Sequence, residues 1–248
     1  MLSLIYDGYR GNMTTLYDCS NSILLIGSGR LAKHLLHWNS LLENPNKILA
    51  WNRSEELSLL RKLLDESTHI WLAISDSSIL SFFESNLKNF AGQVVHFSGA
   101  LYDPRLVSAH PMMTFPTGLL PDSTYKDIAF GLTGASDLSL AMPGFKNTFF
   151  HVAEKDKALY HALCVVAGNF PQLLWNEADQ KFSELRVPEK AFQTYITQVL
   201  NNYLNLKQKS LTGPIVRKDL TTIEKNEAAL TGTKLKAIYH SFAKEFLP

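Results

Sequence analysis

The chain has little cysteine. Cys19 and Cys164 are its two thiols among 248 residues, far apart and without metal-ligand spacing, so neither a disulfide framework nor a thiolate metal site is expected and free thiols in a reducing cytosol are. Long apolar runs are missing too, which excludes a transmembrane helix. Charge of one sign is also scarce: 24 Lys+Arg against 23 Asp+Glu leave a formal net charge of +1, with no basic field for nucleic acid and no acidic tail. Residues 1–20 mix Tyr, Asp, Arg and Gly and lack the apolar centre of a signal peptide, so they read as an N-terminal extension. There is no internal repeat and no low-complexity tract. The remainder, 46% hydrophobic and 19% charged, is ordinary for a globular protein and long enough for one large domain or two modest ones. A cytoplasmic protein without membrane, nucleic-acid or metal partners is the expectation.

Against these absences one stretch stands out. Ile23-Leu24-Leu25-Ile26 is a short apolar strand that runs into Gly27-Ser28-Gly29-Arg30-Leu31-Ala32. In a dinucleotide site Gly27 makes the tight turn, Gly29 lets a pyrophosphate approach the main chain, and Ala32 allows close packing of helix on strand. About twenty residues later a second strand ends in Asn52-Arg53-Ser54. An NAD site places Asp or Glu there for the ribose hydroxyls; a cation and a hydroxyl suit a 2′-phosphate instead, which points to NADP.

From Ile23 to about Ala153 strands and helices alternate, which predicts a mostly parallel sheet covered by helices. Strands are expected at 23–27, 47–52, 69–74, 93–97, 106–110, 128–133 and 148–153. Helices are expected at about 30–42, from an N-cap at Ser54 to Leu64, and from the capping run Ser75-Asp76-Ser77-Ser78 to about Lys88. A short helix at 137–145 is interrupted by Pro143-Gly144. Beyond Glu154 only helices are expected, at 155–175, 189–207, 219–230 and 234–246. The division is therefore 1–20 extension, 21–153 α/β dinucleotide-binding domain of Rossmann type, and 154–248 all-α substrate and dimerisation domain, with chemistry in the cleft outside the strand carboxyl ends.

Several polar groups fall at those ends. Ile74, Ser75 and Asp76 follow the third strand and are placed to meet the cofactor's ribose or pyrophosphate. Ser98 and His110 end the next strands and could polarise a carbonyl or move a proton near the nicotinamide, as an imidazole can near neutrality. His96, inside its strand, reads as a packed core residue. In the first helix of the second domain Lys157, His161, Gly168, Asn169 and Gln172 form a polar band; His161 and Asn169 are candidates to orient substrate, and Lys157, at the helix start, reads as solvated. Arg217 could clamp a substrate carboxylate, and Asp219 reads as the cap of the next helix.

Taken in order, the glycine turn, His96-Phe97-Ser98-Gly99-Ala100, Ala109-His110-Pro111-Met112-Met113, Tyr160-His161-Ala162 with Asn169, and Leu211-Thr212-Gly213-Pro214-Ile215-Val216-Arg217-Lys218-Asp219 resemble a family. It is that of uncharacterised Rossmann-like oxidoreductases with an all-α C-terminal domain of unknown function, distantly similar to ketopantoate reductase, pyrroline carboxylate reductase and prephenate dehydrogenase. The resemblance implies an NADP-binding fold, a helical second domain of the phosphogluconate dehydrogenase type and a homodimer. His110-Pro111-Met112 is similar to the His-Pro-Met segment of prephenate dehydrogenases, whose histidine acts on the substrate hydroxyl. Lys218 departs from the glycine usual between that Arg and Asp, which disfavours a tight turn there. The reading is an NADP-dependent oxidoreductase moving a hydride between nicotinamide and a small carbonyl, imine or hydroxy compound. The alternatives are a sensor or scaffold that holds NADP without turnover, and a flavin-dependent relative.

Overall fold

Strand β1, Ser22–Ile26, sends Ile23 and Leu25 to one face of a sheet and Leu24 and Ile26 to the other, all at most 1% exposed. A strand buried on both sides reads as a continuous apolar run, which is why this segment is conspicuous in the sequence. The computed structural model describes residues 21–247; the expected N-terminal extension at 1–20 lies outside them.

Around β1 the described residues form a seven-stranded sheet in the order β2-β1-β3-β4-β5-β6-β7. Its other strands are β2 (Lys47–Trp51), β3 (His69–Leu72), β4 (Gln93–His96), β5 (Val107–Pro111), β6 (Phe130–Thr133) and β7 (Phe149–His151). The first five run parallel, β6 is antiparallel to β5, and β7 is parallel to β6. The mostly parallel Rossmann-type sheet is thus present. β2 and β3 lie on opposite sides of β1, so the topology switches there and opens a crevice at the strands' carboxyl ends.

Helices α1 (Arg30–Ser40), α2 (Leu57–Asp65), α3 (Asp76–Phe82) and α4 (Asp122–Asp127) belong to the same unit. Trp38 of α1 stacks on Phe130 at 5.1 Å and meets Phe145 edge-on. Trp71 on the same sheet face donates from Nε1 to the carbonyl of Ala141 at 2.9 Å, so its polar atom is satisfied in the core.

Some elements differ from the sequence expectation. Ser54 does not cap α2; Glu56 holds the N-cap position, and the Ser54 hydroxyl donates to Asn52 Oδ1 at 2.6 Å. The helix after β3 ends in a π-helical turn, Phe83–Leu87. The helix expected at 155–175 is α5 (Lys157–Cys164), a π turn (Val165–Asn169) and α6 (Phe170–Glu184). Pro171 has no N–H for the preceding turn and its ring needs room there, and the widened turn accommodates both. The chain divides into compact units between Cys164 and Val165, after α5 and not near residue 154, because side chains of α5 bond to the carboxyl edge of the sheet.

The second unit holds α6, α7 (Glu189–Leu206), α8 (Leu220–Ala229) and α9 (Leu235–Phe246). Asp219 caps α8 as expected, accepting from Thr222 N at 3.0 Å and from its hydroxyl at 2.7 Å. The turn before it forms despite Lys218, which stands at φ +56°, where an L side chain costs about 1 kcal/mol. Lys218→Gly should therefore raise the unfolding free energy by about 0.5–1 kcal/mol in urea denaturation; an unchanged midpoint would show that the turn carries no strain.

Candidate functional site

At the tip of β1 the backbone turns through Gly27 at φ +124°. A Cβ there would lie 2.3 Å from the carbonyl oxygen of Ala73, so the glycine permits both the turn and the close approach of β3. Gly29 differs: a Cβ on it would meet nothing within 4 Å among the described residues. The space above its main chain is open, and the N-terminus of α1 has no side-chain cap and no acidic residue in its first turn. Those free N–H groups and the helix dipole suit an anion.

A cleft of about 840 Å³ opens over this turn. Of the predicted cofactor residues, Gly27, Ser28, Gly29, Arg30, Leu31, Asn52, Arg53, Ile74 and Ser75 line it. Ala32 is buried beneath the turn at 1% exposure, as its packing role requires. Ser54 and Asp76 are exposed and do not line the cleft, and Ser98 is buried. Ser78, from the capping run after β3, lines it as well, and so do Phe82 and Phe115, which carried no cofactor role in the sequence reading. Neither Arg30 nor Arg53 has an ion-pair partner among the described residues, so both guanidinium groups are available to phosphate. Open backbone, an uncapped helix start and two free cations fit a dinucleotide.

The tip of β2 holds a residue the sequence reading missed. Glu55 Oε2 accepts from Asn52 N at 2.8 Å and from Asn52 Nδ2 at 3.2 Å, while Asn52 Oδ1 accepts from Ser54 N and Oγ. Asn52 and Ser54 are thereby fastened to each other, which leaves Arg53 as the free donor at this tip.

At the ends of β4 and β5 the polar residues assemble differently from the expectation. Ser98 and His110 share no hydrogen bond. The Ser98 hydroxyl donates to Asp76 Oδ2 at 2.5 Å and accepts from Leu101 N at 3.0 Å, so both its proton and an acceptor site are committed. His110 Nδ1 is instead 2.8 Å from the Tyr160 hydroxyl of α5, and the His161 ring crosses the His110 ring edge-on at 5.9 Å. Both imidazoles rest on Gly99, where a Cβ would come within 2.6 Å of His161 Cδ2 and 3.1 Å of His110 Nε2. Tyr160 was visible only as part of a sequence motif; no periodicity marks it as a partner of His110.

Burial pushes the His110 imidazole down to about 4, and the nearby His161 and Lys157 push the same way against Asp76. Burial and the Cys164 thiol hold the Tyr160 hydroxyl well above its usual range. At neutral pH both groups are therefore uncharged. If the hydroxyl donates to Nδ1, Nε2 carries the proton and can donate it to a ligand; if Nδ1 donates, Nε2 can accept. His96 is a buried strand residue, as expected. Its Nδ1 accepts from Ser98 N at 3.2 Å, and its Nε2 has no partner among the described residues. Burial, then the charge of Lys157, bring it down to about 4.

Lys157 overturns an expectation outright: it is 2% exposed, not solvated. Asn169 ends the π turn and Arg217 precedes α8; both belong to the second unit and are exposed there. Among the described residues no cluster of three His, Cys, Asp or Glu is placed to hold a metal ion, and no helix is long and apolar enough to cross a membrane.

Comparison with known proteins agrees with this architecture. Residues 134–246 match the model of a family described as a domain of unknown function, DUF2520. No curated protein matches the chain. Among solved structures, a Bacteroides fragilis protein designated an NADP oxidoreductase is similar over 91% of this chain and 97% of its own, at TM-score 0.72 and 19% identity. A Thermotoga maritima protein is similar over 90% and 96%, at TM-score 0.65 and 22% identity. Plasmodium falciparum pyrroline carboxylate reductase, solved with NADP bound, is similar over 92% and 100%, at TM-score 0.57 and 12% identity. At such identities the likeness is one of fold: a Rossmann-like domain followed by a helical region.

The buried imidazoles make stability depend on pH. An unfolded histidine titrates near 6.5, whereas His96 and His110 titrate near 4 in the folded chain. Between these values the unfolded state binds more protons, so the contribution is complete above pH 6.5 and is lost as pH falls toward 4. Asp103, Asp137 and Asp219, held below 3.8, add their loss at lower pH. The thermal midpoint should fall steadily from pH 6.5 to 4.5; a flat profile over that window would contradict neutral imidazoles at both positions.

Proposed function

We propose that the protein is an NADP-dependent oxidoreductase that transfers a hydride between nicotinamide and a small carbonyl, imine or hydroxy compound. The observation that supports this reading is the glycine turn after β1, with open space over Gly29 and with Arg30 and Arg53 free of ion-pair partners among the described residues; β5 of the same sheet carries His110 near its carboxyl end, uncharged at neutral pH and without a hydrogen bond at Nε2 among the described residues. Gly27, Ser28, Gly29 and the start of α1 would hold the pyrophosphate, Arg53 and Arg30 the 2′-phosphate, and Ile74 and Ser75 the neighbouring ribose. When bound, NADP supplies or accepts the hydride.

His110 is the acid–base group. Uncharged at neutral pH, it donates a hydrogen bond from Nε2 to a substrate oxygen or nitrogen, or accepts a proton there, with Tyr160 selecting the tautomer. Its neutrality avoids placing a full charge in a buried cleft before substrate arrives. Ser98, with Asp76, supports the floor of the site rather than moving a proton. His161 borders the same floor.

The protein is further read as a cytoplasmic homodimer. Tyr195, Val199 and Tyr203 of α7 lie at helical spacing and are 63%, 47% and 56% exposed, an apolar face a second copy would cover.

Fluorescence titration should show tighter binding of NADPH than NADH, and Arg53→Ala should bring the two affinities together. Equal affinities in the wild type would overturn the cofactor assignment. In a screen of small carbonyls and imines, His110→Ala should lower turnover by about 10²–10⁴-fold without weakening NADPH binding; unchanged turnover would remove His110 from the mechanism.

A further inference from the structure

Lys157 opens α5 with its ammonium group buried. Nζ donates to Ser108 Oγ at 2.6 Å and to the Ser98 carbonyl at 3.3 Å. Ser108 gives its own proton to that same carbonyl at 3.0 Å, so it meets the ammonium as an acceptor. No carboxylate among the described residues lies within ion-pair distance of Nζ. Asp76 reaches it only across Ser98, whose hydroxyl it binds. A buried cation without a direct counter-ion is destabilising, and an apolar side chain would fill the space without that penalty. Strongly perturbed groups of this kind concentrate at functional sites.

What Lys157 touches indicates its role. The carbonyl it holds belongs to the Ser98–Gly99 peptide, and Gly99 is the surface against which His110 and His161 pack. We infer that Lys157 is a positioning residue, which holds the Ser98–Gly99 peptide as the floor beneath His110 and His161 and presents a fixed positive charge to the site from below. The inference rests on the reading of this cleft as a hydride-transfer site. The groups that act on His110 are His161 and Lys157, which disfavour its protonation, Asp76, which favours it, and the Tyr160 hydroxyl at Nδ1. A cation under the floor keeps His110 in the neutral form needed for hydrogen bonding to substrate, and it favours negative charge developing on a carbonyl oxygen above. Lys157 itself is brought down to about 8 by burial, with Asp76 opposing, so it is mostly charged at neutral pH.

The test is an NMR titration of histidine Cε1–H signals that needs neither cofactor nor turnover. The His110 signal is assigned by its loss in His110→Ala. Wild type is compared with Lys157→Met, Lys157→Gln and Lys157→Arg, each checked for native circular dichroism. The His110 midpoint should rise by about one pH unit in the Met and Gln variants and stay near the wild-type value in the Arg variant, which keeps the charge. If the Met variant does not fold, the Gln and Arg variants carry the comparison. An unmoved midpoint in the uncharged variants, or an equal rise in Lys157→Arg, would overturn the inference. If wild type fails to oxidise NADPH with any substrate while the midpoint moves as expected, the role of Lys157 stands and the hydride-transfer reading falls.

Discussion

Ser98 is the residue through which the site is held together. Its N–H donates to His96, its hydroxyl joins Asp76 and Leu101 N, and its carbonyl accepts from Ser108 and Lys157. Those partners come from β4, the loop after it, β5, the start of α3 and the start of α5. A residue 4% exposed with every polar atom engaged has no freedom to move, and the next residue inherits that rigidity. Gly99 then offers a flat surface to two imidazoles, where a Cβ would collide with His161 and crowd His110.

The same sheet edge carries two kinds of glycine with opposite reasons for existing. Gly27 is required by the protein itself, because the Ala73 carbonyl occupies the position of a Cβ. Gly29 is required by nothing among the described residues, because the corresponding space is open there. A glycine without an internal reason, at an uncapped helix start beside unpaired arginines, indicates that the space belongs to something else. This is a stronger argument for a phosphate-binding turn than the spacing of the glycines alone.

Much of the frame was legible because its causes are local. β1 is apolar on both faces, the turn after it is marked by glycine, and Asp219 caps a helix with Thr222 three residues on. The π turn before Pro171 was less legible, since a helical pattern of apolar residues does not show where the backbone widens. Lys157 was misread for a general reason: a lysine at a helix start is ordinarily solvated. Its burial depends on Ser108 and Ser98, 49 and 59 residues away along the chain. Tyr160 reaches His110 across 50 residues by the same kind of long-range contact.

The sequence by itself determined the class of fold and the residue types at the strand ends proposed to meet a ligand, because periodicity, turn chemistry and capping act over a few residues. Tertiary structure decided what those residues are chemically. It paired His110 with Tyr160 in place of Ser98, engaged Ser98 on every side, and put a lysine under the floor. The state of each proton follows from burial and from charges brought close by the fold, and neither is written in the spacing of residues along the chain.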